Sequence, residues 1–589
     1  MNSLLEKLTD LFSQAFVAED LPADLGQMVV SGRPDLGDFQ CNGALQGARE
    51  KKMNPRALAE RIIAALPAND WFREVTIAGP GFINVRLNDA FLTSHLQAMI
   101  ADENLGVRRV DQPQAIIVDY GGYNVAKALH VGHLRPSIIG QALANVLRQV
   151  GHHVIGDVHL GDWGLQMGQL IAELARRQPD LPYFDPANEG PFPTESPITL
   201  DEFGEVYPAA SNRMKEDPEF AAAARQATYE LQQGRPGYRA LWQHFVDVTI
   251  ADQKADCDRL GIHYDYWLGE SHTDHRLQPM TERLMDEGYA VVSKGATIVD
   301  VSSDEDKKDL PPLMLLTSVG SVTYGTTDLA TIEQRMEDFD PAAILYVVDK
   351  RQSLHFTQVF RAAYKTGIAP RSTSLEHIAF GTFNGKDGRP FKTRTGGVMM
   401  LKELVQLSID AAYERMESAG VASDYPENEK AAIAEMVGQA ALKFGDLVNH
   451  YSTDINFDLE RFSSFEGRTG PYLLYSTVRT KSILRKAEDQ GLAGGCLIPP
   501  AEDAERALLL KLAEMPEALL YTYETRSPNH LCEYIYNLSA TFNRFLGQCH
   551  ILREEDSARQ ASWLGLSSYF VTLMEMLLSL IMIDVPERM

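Results

Sequence analysis

The feature that most constrains this chain is a switch of hydrophobic period between residues 115 and 150. Ala115–Asp119 reads AIIVD, a continuous apolar run of the kind found in a strand buried on both faces of a parallel sheet. A glycine-containing loop follows, and then Ile138, Ile139, Ala142, Leu143, Val146, Leu147 and Val150 recur at helical spacing. His153–Leu160 predicts the next strand and Leu165–Ala175 the next helix. The alternation returns at Ala343–Val348 (AILYVV) and continues past Ala379. Strand, loop, helix, strand, helix implies a doubly wound, Rossmann-like α/β domain whose ligands sit at the carboxyl ends of the strands.

The flanks read differently. Leu4–Phe16 is an amphipathic helix, and Pro55–Ala65 is another with proline in its first turn. Val75–Ile77 and Phe82–Leu87 predict strands joined by the turn Gly79-Pro80-Gly81. The polar stretch Asp102–Pro113 marks a boundary. Residues 177–235 are rich in Pro, Asp, Glu and Ala and read as an insertion outside the core. From Leu401 onward the pattern is almost wholly helical, with Tyr534, Leu538, Phe542 and Phe545 on one apolar stripe. The chain is therefore expected to be a multidomain protein of α/β and all-α parts: a small α+β domain over 1–108, a Rossmann-like domain over 112–400 with an insertion near 177–290, and a helical bundle over 401–589.

A formal net charge of -26 argues against broad, non-specific DNA binding, which rewards Lys and Arg. It leaves room for a selective contact with one folded RNA through a local basic face. The five cysteines form no CxxC pair, which speaks against a disulfide framework or a cysteine zinc site and suits a reducing cytoplasm. MNSLLEKLTDLFSQAF lacks the apolar core of a signal peptide. Val571–Ile583 is too short to cross a bilayer and contains Glu575. It reads as a buried helix, and no membrane partner is expected.

The strongest chemical signal is His130-Val131-Gly132-His133, between the strand ending at Asp119 and the helix beginning near Leu134. A helix N-terminus offers unpaired N–H groups and a positive dipole end, which suit phosphate. Gly132 lets a nucleotide approach the backbone, and two histidines three apart can donate to phosphate oxygens as charge builds on phosphorus. Lys127, three residues earlier, can neutralise β- or γ-phosphate charge. The plainer alternatives are a pair of turn histidines capping a helix and a solvent-facing lysine. A zinc site lacks a third ligand nearby. His272 and His275 repeat the spacing and read as a polar loop or helix start.

At this point a resemblance becomes specific. Asp119–Gly140, DYGGYNVAKALHVGHLRPSIIG, resembles the HIGH-motif segment of class I aminoacyl-tRNA synthetases, and its NVAK…HVGHLR form is similar to that of the arginyl-tRNA synthetase family. HLGDWGLQMG (159–168), GDFQ (37–40), GPGFIN (79–84), GRTGPYLLYSTVRTKSILRKA (467–487) and the terminal VPERM extend the resemblance over the whole chain in order. It implies ATP-dependent activation of L-arginine and transfer of the arginyl group to the 2′-OH of the terminal adenosine of tRNA(Arg), with tRNA needed for the first step. It implies an arginine pocket of Asp119, Asn124, Tyr324, Asp328 and Gln352, and a fork-shaped guanidinium suits carboxylate partners. His130, Gly132, His133, His377, Phe380 and Gly381 would hold ATP. The counterpart of the KMSKS loop is Phe391–Gly397, which keeps Lys392 and Arg394 but lacks the second lysine; Lys127 is a candidate for the missing charge. Mg²⁺ is expected on the ATP phosphates, with no metal site built from the protein. Tyr475, Arg479 and Met589 are implied at the anticodon, where aromatic rings stack on unpaired bases, and Phe82 and Asn84 at the D-loop. A basic face of Arg479, Lys481, Arg485 and Lys486 accompanies them. Where the family often has Ser-Pro, this chain has Gly121-Gly122-Tyr123, so a more flexible loop is expected. The family is commonly monomeric and cytoplasmic.

Three rival readings are weaker. A small-molecule adenylyltransferase with HxGH needs no long helical C-terminal part. An RNA-holding protein without catalysis would not need an intact HVGH. A dinucleotide-dependent dehydrogenase should show GxGxxG after the first strand, and the chain has none there.

Overall fold

The computed structural model describes every residue except Met1, Lys308, Val319, Pro390 and the segments 392–397 and 421–423. The chain divides into two compact units, each interrupted in sequence.

The first unit contains Met1–Asp111, Arg415–Ala440 and Ser463–Met589. Its sheet has the order β1 (Met28–Val30), β2 (Phe39–Cys41), β4 (Phe82–Leu87), β3 (Phe72–Ala78), all antiparallel. Gly79 and Gly81, with φ of +53° and +153°, close the β3–β4 hairpin, a conformation that disfavours a Cβ. Asn54 caps the helix Pro55–Ala65 by accepting from the Arg56 N–H at 2.8 Å. The C-terminal segment is helical as expected, and its apolar stripe is buried: Leu538, Phe542 and Phe545 are each 0% exposed. The helix Ser557–Leu580 is long and apolar enough to cross a membrane by composition, yet it packs Leu566, Phe570, Leu573 and Leu577 into this bundle. Arg506 ties the terminal segments into one unit, pairing with Asp38 and with Asp89 at 2.7 Å each.

The second unit, Gln112–Glu414 with Ala441–Phe462, is built on four parallel strands: β5 (Ala115–Asp119), β6 (His153–Asp157), β10 (Ala343–Asp349) and β11 (Ser374–Phe380). Their order is β11-β10-β5-β6. β6 ends three residues before the predicted Leu160, because His159 takes a left-handed φ of +45° and breaks the extended run. The helix Leu134–Gln149 between β5 and β6 buries residues all round, among them Ile138, Ile139, Ala142 and Leu143, as an internal helix should. A second sheet, β7 (Ala290–Ser293), β8 (Ala296–Val299) and β9 (Leu313–Leu316), is antiparallel. It shares a core with the helices Tyr324–Phe339 and Ser353–Lys365. A short pair, β12 (Phe383–Gly385) and β13 (Ile455–Phe457), completes the unit.

Residues 177–235 depart from expectation. They form helices Leu200–Glu216 and Pro218–Gln232, and Tyr183, Phe203 and Val206 join Trp163, Met167 and Phe245 in a hydrophobic core of their own. The apolar residues are few but fall on one face of each helix, so a polar composition concealed a core. Glu173, fully buried, anchors the segment by pairing with Arg176, Arg177 and Arg213.

Candidate active site

The site is assembled at the carboxyl ends of the parallel strands. β5 delivers Asp119, aligned with Asp157 of β6 on one side and Tyr346 of β10 on the other. The loop after Asp119 turns through Gly121 and Gly122, with φ of +93° and +61°. It is pinned by aromatic hydroxyls, contrary to the expectation of a loose loop. Tyr120 and Tyr123 are buried. The Tyr120 hydroxyl lies 2.9 Å from Gln141 Oε1, and the Tyr123 hydroxyl lies 2.7 Å from Ser137 Oγ and 3.0 Å from the Tyr264 hydroxyl. Gly161 N–H donates to the Tyr123 carbonyl at 2.9 Å and Val125 N–H donates to the Gly161 carbonyl at 3.1 Å. This bridge holds Asn124 against Gly161, where a Cβ would lie 2.7 Å from Asn124 Oδ1.

The HVGH segment forms one turn of 3-10 helix, Val131–His133, leading into Leu134–Gln149. The two imidazoles stack with centroids 3.9 Å apart. His130 Nδ1 accepts from Gly132 N–H at 3.0 Å, and His133 Nδ1 accepts from His130 N–H at 3.1 Å. With both Nδ1 atoms acting as acceptors, the proton of each neutral ring resides on Nε2, the outer donor. Burial, reinforced by Lys127, lowers the pKa of His130, and burial followed by His130 and Lys127 brings His133 down to about 3. Both rings are thus neutral N–H donors at pH 7. A Cβ on Gly132 would meet His130 Cε1 at 2.8 Å, so the glycine is needed by the histidine ring itself as well as by any ligand. Lys127 is half-buried, its Nζ 4.6 Å from the centroid of the Tyr207 ring.

The strand segment Ser374–Phe380 borders the same region. His377 Nε2 lies 3.0 Å from the Val348 carbonyl, and burial lowers its pKa. Phe380 is buried, and Gly381 packs so tightly that a Cβ would lie 2.5 Å from the Thr453 carbonyl. Arg135, 1% exposed, donates to the carbonyls of Gly381 (2.6 Å) and Thr453 (2.8 Å) and pairs with Asp446 at 2.8 Å. It therefore links the HVGH helix to the end of β11. Lys392 and Arg394 lie outside the described residues. Beyond them, Met399 accepts from Val131 N–H at 3.1 Å and Leu401 N–H donates to the Leu129 carbonyl at 2.9 Å.

Tyr324 and Asp328 fall one turn apart on the helix Tyr324–Phe339. Tyr324 is 76% exposed. Asp328 pairs with His355 Nε2, a partner sequence reading missed. Gln352 is exposed at the end of a short 3-10 turn after β10. Asp119 is 6% exposed and pairs with Arg335, which sequence reading also missed. Burial raises the Asp119 pKa against the opposing effects of Arg335 and His159. Asp162 accepts from the Ser271 hydroxyl at 2.6 Å and N–H at 2.9 Å. Half-buried Glu270 lies near enough to Asp162 and Asp328 for burial and these like charges to raise its pKa. His272 accepts from Gly269 N–H at 3.0 Å at the start of the next helix, as the plain reading of HTDH expects.

In the first unit Tyr475 and Arg479 are both exposed, one turn apart on the helix Gly470–Asp489. The basic face is smaller than expected. Lys481 is 8% exposed and paired with Glu575 and Glu587, and Arg485 donates to the Glu587 carbonyl at 2.8 Å. Met589 is half-buried, next to Arg588, whose guanidinium makes a paired contact with Glu429 at 2.7 Å. Phe82 is half-buried, whereas Asn84 is only 1% exposed. The expectation that Phe82 and Asn84 share one open face of the strand is therefore not met, since the Asn84 side chain is enclosed.

Comparison with known proteins agrees with this geometry. The family model described as tRNA synthetases class I (R), catalytic domain, matches residues 95–459. DALR anticodon binding domain matches 473–589, and Arginyl tRNA synthetase N terminal domain matches 2–87. Arginine–tRNA ligases of Alkaliphilus oremlandii and Maricaulis maris are 47% and 45% identical over 590 residues, covering 100% of both chains in each case. Arginyl-tRNA synthetases of Plasmodium falciparum and Thermus thermophilus share the fold with TM-scores of 0.83 and 0.81 at 23% and 24% identity, each pair covered over 100% of its length. The chain belongs to the arginyl-tRNA synthetases, class I enzymes that use ATP to join arginine to tRNA.

Proposed function

We propose that arginine is activated at the carboxyl ends of β5 and β10, with His130 and His133 as neutral donors to the phosphates of ATP. The stacked pair with both Nδ1 atoms capped by backbone N–H groups is the observation that carries this reading. The arginine carboxylate attacks the α-phosphorus, the bond to the β-phosphate oxygen breaks, and pyrophosphate leaves. The Nε2–H groups of His130 and His133 donate to oxygens whose charge grows in the transition state, without a proton having to be transferred. Lys127, Lys392 and Arg394 neutralise the departing pyrophosphate, and Mg²⁺ bound on the ATP phosphates supplies further neutralisation. Phe380 and Gly381 take the adenosine, with His377 holding their strand. Asp119, Asn124, Tyr324, Asp328 and Gln352 recognise the substrate's cationic groups and polar atoms; much of the rate then comes from orientation.

In the second step the 2′-OH of the terminal adenosine attacks the arginyl carbonyl and AMP leaves. Tyr475, Arg479 and Met589 serve the anticodon and Phe82 the D-loop. The domain roles are 1–108 for the D-loop and 112–400 for catalysis, with the anticodon role falling to 401–589 apart from 401–414 and 441–462, which pack with the catalytic unit. We read the enzyme as a cytoplasmic monomer. The deciding measurement is exchange of labelled pyrophosphate into ATP, with and without tRNA, with lysine in place of arginine as control. Exchange that needs arginine and tRNA and is abolished in His130→Ala and His133→Ala supports the assignment. Arginine-dependent exchange that survives both substitutions removes the histidines from it.

A further inference from the structure

Arg335 occupies the middle of the helix Tyr324–Phe339 and is 2% exposed. Its Nη2 donates to Asp119 Oδ2 and to Asp157 Oδ2, both at 2.7 Å. The two carboxylates end neighbouring strands and stand in register. Asp157 directs its other oxygen at the Leu268 N–H, 3.4 Å away. The second oxygen of Asp119 accepts no hydrogen bond among the described residues. The guanidinium faces the Tyr346 ring at 5.4 Å, and its Nη1 is buried without a partner. Two buried carboxylates thus share one guanidinium, and the cluster keeps one negative charge that enclosure makes costly.

We propose that Arg335 is a positioning and specificity-determining residue for arginine. It grips Asp119 by one oxygen and so aims the other at a cationic group of the substrate. By neutralising only one of two carboxylates it also leaves a charge that a cation completes and a neutral side chain does not. This rests on the reading of Asp119 as an arginine ligand. Sequence distance hid the role, since Arg335 and Asp119 are 216 residues apart.

The test is tRNA-dependent pyrophosphate exchange by the full chain, with KM for arginine, KM for ATP and kcat measured separately. In Arg335→Gln the carboxylates of Asp119 and Asp157 face each other unshielded, with His159 and Tyr346 the other groups acting on Asp119. Nothing then holds the Asp119 carboxylate in its aim, and the arginine KM rises by about 30-fold while the ATP KM stays within about twofold. Arg335→Lys recovers part of the loss, because a positive charge returns without the reach and planar geometry that set Nη2 between the two carboxylates. Asp157→Asn gives Arg335 wholly to Asp119, cancels the spare charge and raises the arginine KM by roughly fivefold. Arginine and ATP KM values that rise together, or an arginine KM that stays within about twofold in Arg335→Gln, overturn the proposal. Should Arg335→Gln not fold, Asp157→Asn decides, and an unchanged arginine KM there overturns it. Asp119→Asn separates the two readings. An unchanged arginine KM in that variant removes Asp119 from the site. A raised one alongside an unaffected Arg335→Gln refutes only the role of Arg335.

Discussion

At the entrance to the helix Leu134–Gln149 the His133 ring is 8% exposed, and burial brings its pKa down to about 3. An unfolded histidine titrates near 6.5. Below that pH the unfolded chain takes up a proton that the native ring refuses, so the native state is fully favoured above about pH 6.5 and loses this contribution as pH falls toward the folded value. The exchange reaction should accordingly show no inflection from His133 between about pH 5 and 8, and the ring's Cε1 resonance should keep its neutral shift through that range. A protonation midpoint near 6.5 at His133 would contradict the neutral-donor role. His133→Asn removes the ring and should lower kcat by about 100-fold with less than a threefold change in the arginine KM.

The strand-turn-helix element around HVGH was readable because its signals are local: an apolar run, glycines where φ is positive, and helical spacing. Its tightness was not readable. Gly132 was expected to make room for nucleotide, but the nearest obstacle to a Cβ is the His130 ring at 2.8 Å. Gly132→Ala should therefore displace that ring and reduce kcat by about 10- to 100-fold while the melting temperature moves by only a few degrees. Arg135 belongs to the same element and acts differently. Its removal leaves Asp446, 0% exposed, without its counter-ion. Arg135→Met should cost about 3–5 kcal/mol in denaturant unfolding, and the double variant with Asp446→Leu should recover much of that. If the two losses simply add, the pair is not coupled. The pairs Asp328–His355 and Asp119–Arg335 were invisible in the sequence because each joins segments that only the closed sheet brings together. The misreading of 177–235 has another cause: composition was averaged over helices that concentrate few apolar side chains on one face.

On the scale of the whole molecule, a net charge of -26 leaves RNA binding to local features. In the first unit Lys481 is consumed by Glu575 and Glu587, while Tyr475 and Arg479 face outward. Tyr475→Ala should raise the KM for tRNA by about tenfold through loss of one stacking platform. Arg479→Ala should weaken tRNA binding and lower its salt slope by about one. Filter binding at several salt concentrations checks both, and a slope unchanged by Arg479→Ala would take that residue off the phosphate backbone.

The aromatic packing around the site has an optical consequence. Of the five tryptophans, Trp163 and Trp242 meet edge to face at 5.3 Å, and their indole N–H groups donate to Asp274 and to the Asp162 carbonyl. Trp267 lies 6.1 Å from the Tyr123 ring, in the loop that follows Asp119. Three of the five tryptophans therefore lie against segments that also carry Tyr123, Asp162 and Asp274. Binding of arginine at the proposed pocket should therefore change the tryptophan emission of the unlabelled protein, and a fluorescence titration without ATP or tRNA checks it; an emission unchanged at saturating arginine would place the pocket away from these rings.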